Sequence, residues 1–306
     1  MAKSLVLSEA KAMRILISGA SGLIGNALVA HLKTDGHEII RLVRKPSTNS
    51  GEVTWNPSKH ELDVSKLGTI DAVINLSGAG VGDRRWTDSY KKEILNSRLD
   101  STSTLVHAIN SMSIKPKVLI NSSAIGFYGD RGTTQVDETS DKGTGFLSDV
   151  VQAWESAAMS LKSSGVRVVL LRTGLVFTHR GGALAKLLPL FKLGLGGKIA
   201  GGNQYWSFIS IADEVRAIDF LLNSDIAGPV NLTAPNPATN AEVTTALGKA
   251  LKRPTLLAVP GFALKIVLGE FSTEITGGVK VLPTVLQNAG FTWNHPTITE
   301  VVSTVV

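Results

Sequence analysis

The chain has 306 residues, a formal net charge of +6, 43% hydrophobic residues and no cysteine. That length suits a nucleotide-binding core with a smaller companion region, and the lack of cysteine excludes disulfides, thiolate metal sites and thiol nucleophiles. The cations are scattered rather than interleaved with aromatics, and no apolar run reaches spanning length, so neither nucleic acid nor a membrane is expected as a partner.

Residues 1–12 hold no secretory apolar segment and read as an extension or linker, consistent with a cytoplasmic protein. MRILIS (13–18) predicts a strand, followed by a glycine-rich turn and an amphipathic helix to about Lys33. HEIIRLV (37–43), a short stretch around VTW (53–55), DAVINLSG (71–78), KVLINSS (117–123) and VRVVLLRTG (166–174) predict further strands. Helical spacing covers 87–111, opened by the N-cap residue Thr87, and 146–164. The alternation of strand and helix predicts an α/β protein with a doubly wound parallel sheet of the Rossmann type. After Gly174 the pattern loosens. Residues 181–203 carry seven glycines and read as a mobile segment over a site, and helices are expected at 211–223, 239–251, 260–269 and 278–288. The expected division is 1–12 as extension, 13–174 as the dinucleotide-binding domain, and 175–306 as a smaller, mainly helical substrate or cap region. Segments around 204–234 complete the sheet.

Ser18 to Gly25, SGASGLIG, lies between the first strand and the first helix. Gly19 permits a tight turn, Gly22 lets the backbone approach a pyrophosphate, and Gly25 lets the helix pack against the sheet. The second strand ends in Arg41-Leu42-Val43-Arg44-Lys45, without the carboxylate that accepts from both ribose hydroxyls of NAD. A guanidinium there can hold a 2′-phosphate bidentately, so NADP(H) is the expected cofactor, with a solvated strand end as the plainer account of Arg44.

With the GxxGxxG turn, INLSGAG (74–80) and SSAIGFYGD (122–130) in this order, the chain resembles an extended short-chain dehydrogenase/reductase. More narrowly it is similar to the atypical sugar-nucleotide-epimerase-like branch, on RRWTDSYKKEILNSRLDST (84–102), GGALAKLLPLFKLGLGG (181–197), GNQYWSFISIADEV (202–215) and the tail around 251–291. Some members of that branch carry the label of cell-division inhibitor. The resemblance implies cofactor contacts at Gly19, Ser21, Gly22, Leu23, Ile24, Gly25 and Arg44, at Leu76, Ser77 and Gly78, and at Gly174 and Phe177 near the nicotinamide. It implies one more at Arg98, for which a surface helix arginine is the equal alternative.

The working enzymes of this kind use a tyrosine and a lysine one helical turn apart. This chain has three tyrosines, at 90, 128 and 205, and none has a lysine four residues on. Aligned on Trp154-Glu155, the two positions fall at about Leu147 and Val151. Ser123 keeps the family's serine position and Tyr128 stands in the following loop, so these two are the candidate catalytic residues. The arginine that clamps a substrate diphosphate is matched by Trp206, which either stacks on a flatter substrate or packs in the core. Arg172 either meets an anionic substrate or pairs with a buried carboxylate. Asp213 reads as a helix cap, and no metal site is expected. The sequence therefore predicts an NADP(H)-binding, epimerase-like oxidoreductase acting on an unidentified small molecule. The alternative is a non-catalytic NADPH-binding regulatory or scaffold protein, linked to cell division. Both a homodimer and a protein partner stay open.

Overall fold

The computed structural model describes residues 12–306, so the expectation for the N-terminal extension falls, apart from Ala12, outside the described residues. Short apolar strands alternate with amphipathic helices in chain order: β1 (Arg14–Ser18), α1 (Leu23–Thr34), β2 (Glu38–Val43), β3 (Glu52–Asn56), β4 (Glu61–Leu62), β5 (Ala72–Asn75), α2 (Asp88–Ser111) and β6 (Val118–Ala124). The two-residue β7 (Gln135–Val136), α3 (Phe146–Met159), β8 (Arg167–Thr173) and β9 (Leu175–Phe177) follow. The second part adds α4 (Gly182–Lys192), β10 (Tyr205–Trp206), β11 (Phe208–Ser210), α5 (Ile211–Leu222), β12 (Gly228–Leu232), β13 (Ala238–Thr239) and α6 (Asn240–Leu251). It closes with α7 (Gly261–Leu268), α8 (Ser272–Thr276), β14 (Lys280–Val281), α9 (Thr284–Asn288) and α10 (Ile298–Ser303).

Eight strands form one sheet in the order β12-β8-β6-β5-β1-β2-β3-β4. All neighbours are parallel except β3 and β4, which pair antiparallel at the edge. The sheet is buried on both faces, which is why its central strands are nearly all apolar. On one face Ile15, Ile17, Ile74 and Ile120 pack against Leu28 and Leu32 of α1 and Ile218 and Leu221 of α5. On the other, Leu16, Val73 and Leu119 pack against Leu105 and Ile109 of α2 and Ala158 of α3. The chain winds from β1 outward to β2 and β3, then returns through β5 to β6, β8 and β12. The winding reverses between β1 and β5, and in such sheets ligands bind in the crevice at the strands' carboxyl ends at that point.

A third core, built from Leu184, Leu188, Phe191, Phe208, Val243 and Val301, holds the C-terminal region together. It corrects one expectation. Residues 182–192 are not a mobile loop but the helix α4, because Leu184, Leu188 and Phe191 recur at helical spacing and are buried. No described helix is long and apolar enough to cross a membrane.

Candidate cofactor and active site

The turn after β1 leaves no room for a side chain at Gly19 or Gly25. Gly19 has φ +69°, and a Cβ there would lie 2.5 Å from the Leu76 carbonyl oxygen; one on Gly25 would lie 2.2 Å from the Gly19 oxygen. The Gly22 N–H donates to the Gly19 oxygen at 2.9 Å, and Gly22 then serves as N-cap of α1 with no side-chain cap. The first N–H groups of α1 therefore lack a side-chain acceptor and face outward with the helix's positive end, an arrangement suited to a pyrophosphate. Ser21 is exposed, and Leu23 and Ile24 are half-buried at the start of the helix. Gly19→Ala is expected to cost about 1–3 kcal/mol through the left-handed backbone and the clash with Leu76, readable by urea denaturation. An unchanged midpoint would contradict it.

Leu76, Ser77 and Gly78 leave β5 beside this turn. The Leu76 N–H donates to the Ser18 oxygen at 3.1 Å, and that of Ser77 to Asn75 Oδ1 at 3.2 Å. Arg98 closes the far side of the strip. Its Nη1 donates to the Ala79 oxygen at 3.0 Å and the Ile94 oxygen at 2.8 Å, and its Cζ stands 5.0 Å from the Trp154 ring centre. Burial lowers its pKa to about 10, which still leaves a cation at neutral pH. A Cβ on Gly78 would come within 3.2 Å of the guanidinium carbon, so the glycine is what lets the arginine lie flush against the strand end. At the end of β2, Arg41 is engaged by Glu52 at 2.8 Å, whereas Arg44 and Lys45 are exposed and make no ion pair among the described residues.

Below the crevice, Ser18 Oγ donates to Asn75 Oδ1 at 2.6 Å, and Asn75 Nδ2 donates to Asn121 Oδ1 at 2.7 Å and Thr102 Oγ1 at 3.0 Å. This buried polar layer staples β1, β5 and β6 together beneath the glycine turn. Its one sequence signal is an Asn at the same place in INLS and INSS, where the two strands pair Asn75 with Asn121.

The residues expected to carry chemistry meet in a different network. Ser123 Oγ donates to Glu155 Oε1 at 2.6 Å. Arg172 grips the same carboxylate with two bonds, Nε to Oε1 at 2.8 Å and Nη2 to Oε2 at 2.9 Å. Arg172 Nη1 donates to the Tyr128 hydroxyl at 3.0 Å, and that hydroxyl donates to Asn231 Oδ1 at 2.7 Å. Tyr128 is 0% exposed, and burial pushes its hydroxyl up to about 12. The structure thus places Ser123 and Tyr128 inside the protein as members of a satisfied chain. Arg172 takes the second of its two expected roles, pairing with a buried carboxylate rather than standing free for a substrate. Glu155 and Asn231 are the members that sequence reasoning missed.

Around this network the wall is apolar. A Cβ on Gly126 would touch Leu147 Cβ at 3.4 Å and Val151 Cγ2 at 4.0 Å. Trp206 is buried in the C-terminal core, its strand paired with Ala238 and bridged to Val279, so its indole takes the packing role, the second of its two expected ones. Gly174 passes close to the Ser207 backbone, where a Cβ would lie 2.6 Å from the carbonyl oxygen. Phe177 is 1% exposed and stacks on Phe208 at 5.6 Å, which leaves only its backbone to line a site. Asp213 is not the cap of α5; Ser210 is. The Asp213 carboxylate instead accepts the N–H groups of Asn294 at 2.8 Å and His295 at 2.9 Å and a bond from Arg216.

Beneath Gly174 lies a group that no motif announced. Glu214 on α5 is fully buried, accepts one bond from Thr173 Oγ1 at 2.9 Å, and has no partner for its second oxygen. Burial pushes its carboxyl up to about 8. Among the described residues one group of three His and acidic side chains brings its ligand atoms within 4.8 Å of one another, His31 with Asp35 and Asp219. His31 and the C-cap Asp35 stand at the end of α1 opposite the glycine turn, and Asp219 reaches them from α5.

Fold and crevice define a Rossmann-type dinucleotide-binding protein of the extended short-chain dehydrogenase/reductase class. The chain belongs to the NAD dependent epimerase/dehydratase family, whose model matches residues 15–232. Residues 259–305 match a domain of unknown function, DUF1731. An epimerase family protein of Mycobacterium leprae is 43% identical over 291 residues, covering 94% of each chain. Epimerase family protein SDR39U1 of Mus musculus is 36% identical over 299 residues, covering 96% of this chain and all of the relative. Among solved structures, human epimerase family protein SDR39U1 with NADPH superposes with a TM-score of 0.89 at 32% identity, over 96% of this chain and 99% of that one. A UDP-N-acetylglucosamine 4-epimerase from Bacillus cereus shares the fold, with a TM-score of 0.76 at 16% identity.

Proposed function

We propose that this chain binds NADP(H) and works as an epimerase-type oxidoreductase on a small molecule without the usual tyrosine and lysine. One observation carries the cofactor choice. At the end of β2 no carboxylate awaits the ribose, Arg41 is already engaged by Glu52, and Arg44 and Lys45 stand exposed without an ion-pair partner. They suit a 2′-phosphate. The residues present fit the dinucleotide: Gly22 leaves room for its pyrophosphate on the end of α1, in a turn that Gly19 and Gly25 draw tight against the sheet, and Leu76 to Gly78 flank its adenosine half. When bound, the nicotinamide supplies a hydride donor or acceptor. The relative crystallised with NADPH supports the same assignment.

The chain's own residues act chiefly by positioning. Ser123, Glu155, Arg172, Tyr128 and Asn231 lock the end of β6, the following loop, α3, β8 and β12 into one frame. Tyr128 holds its proton well above neutral pH and donates it to Asn231, so it orders the loop rather than titrating. Arg44→Asp is expected to weaken NADPH at least about tenfold more than NADH, because a charge-assisted bond becomes a repulsion. Titration of reduced-nicotinamide fluorescence with each dinucleotide measures this, and equal losses for both would refute the phosphate role.

A second reading, a protein that holds NADPH without turning it over and acts through a partner, is favoured by the apolar pair Leu147 and Val151 facing Gly126. Loss of reduced-nicotinamide absorbance on mixing the NADPH-loaded protein with a panel of carbonyl compounds supports the first reading. Retained absorbance across the panel, with tight NADPH binding and no reduced or stereochemically inverted product by NMR, supports the second.

A further inference from the structure

Ten large hydrophobic side chains are exposed among the described residues, and eight of them fall within 190–195 and 256–267, led by Leu193, Leu256, Phe262, Ile266 and Val267. The two stretches form one surface. Arg253 Nε donates to the Lys192 oxygen at 3.0 Å, the Val259 N–H to the Lys198 oxygen at 2.8 Å, and the Ala200 N–H to the Val259 oxygen at 2.9 Å. Helix α7 turns Leu264 toward the C-terminal core while Phe262 and Ile266, one turn apart, face outward. A contiguous apolar patch of this kind marks an interaction surface.

Charge says what covers it. Residues 181–203 and 249–269 contain no Asp or Glu. Lys192, Lys198, Lys249, Lys252, Arg253 and Lys265 are exposed around the patch, and none makes an ion pair among the described residues. A shallow hollow of about 320 Å³ beside it is lined by Lys249, Lys252 and Arg253 with Thr245, Gly248 and Pro254. A second copy seated on the same face would set these cations against their equals. An apolar centre inside an unpaired basic collar matches a lipid interface instead, with acyl boundary for the one and anionic headgroups for the other.

We propose that this face seats the protein on an anionic lipid surface, with Phe262 and Ile266 dipping below the headgroups and the lysine collar resting on them. The sequence expectation of no membrane partner rested on the lack of a spanning run. A peripheral contact needs none, and α7 has only eight residues.

Co-sedimentation of the full chain with vesicles tests this. Binding is expected to vesicles of phosphatidylcholine mixed with phosphatidylglycerol, weakening as salt rises, and little to pure phosphatidylcholine. Phe262→Ser with Ile266→Ser, and separately Lys249→Glu with Lys265→Glu, are each expected to lower the partition about tenfold or more. All four side chains are exposed, so circular dichroism and Tm should stay as in the wild type, which separates lost binding from lost folding. Wild-type protein that ignores anionic vesicles overturns the proposal. So does a concentration-dependent dimer, seen by light scattering, that the Phe262→Ser, Ile266→Ser variant abolishes while leaving vesicle partition unchanged.

Discussion

Arg172→Ala is expected to destabilise the protein by about 3–5 kcal/mol, the cost of breaking a buried ion pair by removing one partner. The arginine is 4% exposed and makes both bonds that hold the Glu155 carboxylate from the β8 side. Its loss leaves Glu155 with a single neutral donor, Ser123, and leaves Tyr128 without the donor to its hydroxyl. For a chain of this size the change corresponds to a Tm lowered by roughly 5–8 °C. The double variant Arg172→Met, Glu155→Leu should recover most of the loss, because removing both charges also removes their desolvation penalty. Urea denaturation of Arg172→Met, Glu155→Leu and the double variant measures the coupling. If Arg172→Ala unfolds at the wild-type midpoint, the network does not hold the frame.

The second large effect depends on pH and belongs to Glu214. Its folded pKa of about 8 lies above its ordinary value of 4.5 because of burial. Below the ordinary value both states carry the proton and nothing is lost. Between the two values only the unfolded chain releases it, so stability falls as pH rises, by at most about 1.4 kcal/mol per pH unit from this group. Above about 8 both states are ionised and the penalty levels off. Glu214→Gln keeps an acceptor for Thr173 and removes the charge. Relative to wild type, the variant should therefore gain on the order of a few kcal/mol between pH 5 and pH 8. Denaturation curves of the two proteins at matched pH test this, and a difference independent of pH would rule out Glu214 as the source.

Local signals were readable wherever one element decided the outcome. MRILIS, the glycine turn and Thr87 each contain their own reason, and the structure has β1 at Arg14–Ser18, Gly22 capping α1, and Thr87 accepting from the Tyr90 N–H. What depended on register was not readable. The pairing of β6 with β8 sets Ser123 opposite Arg172, and only then does Glu155 on α3 reach both. Arg172 alone was equally consistent with a substrate or a buried acid. The helix α4 was hidden for another reason. Its flanks are crowded with glycines, which disguised the helical period of Leu184, Leu188 and Phe191 between them. Trp206 and Asp213 took their roles from Val279, Asn294 and His295, residues too distant in sequence for any local pattern to name.

The strand β14 pairs in parallel with β7, and Leu286 and Phe291 fill the face of the sheet beside α1 and α5. The last part of the chain thus closes a layer begun by its first strand. Contacts of such sequence separation carry a loop-closure cost that local helices never meet, and they slow folding. During synthesis the sheet up to β12 would emerge with the α1–α5 face still open, and its apolar strands would wait for residues 280–291 before they were fully covered. A chain stopped after Leu232 should therefore aggregate rather than fold as a smaller Rossmann domain, even though it contains every strand of the main sheet.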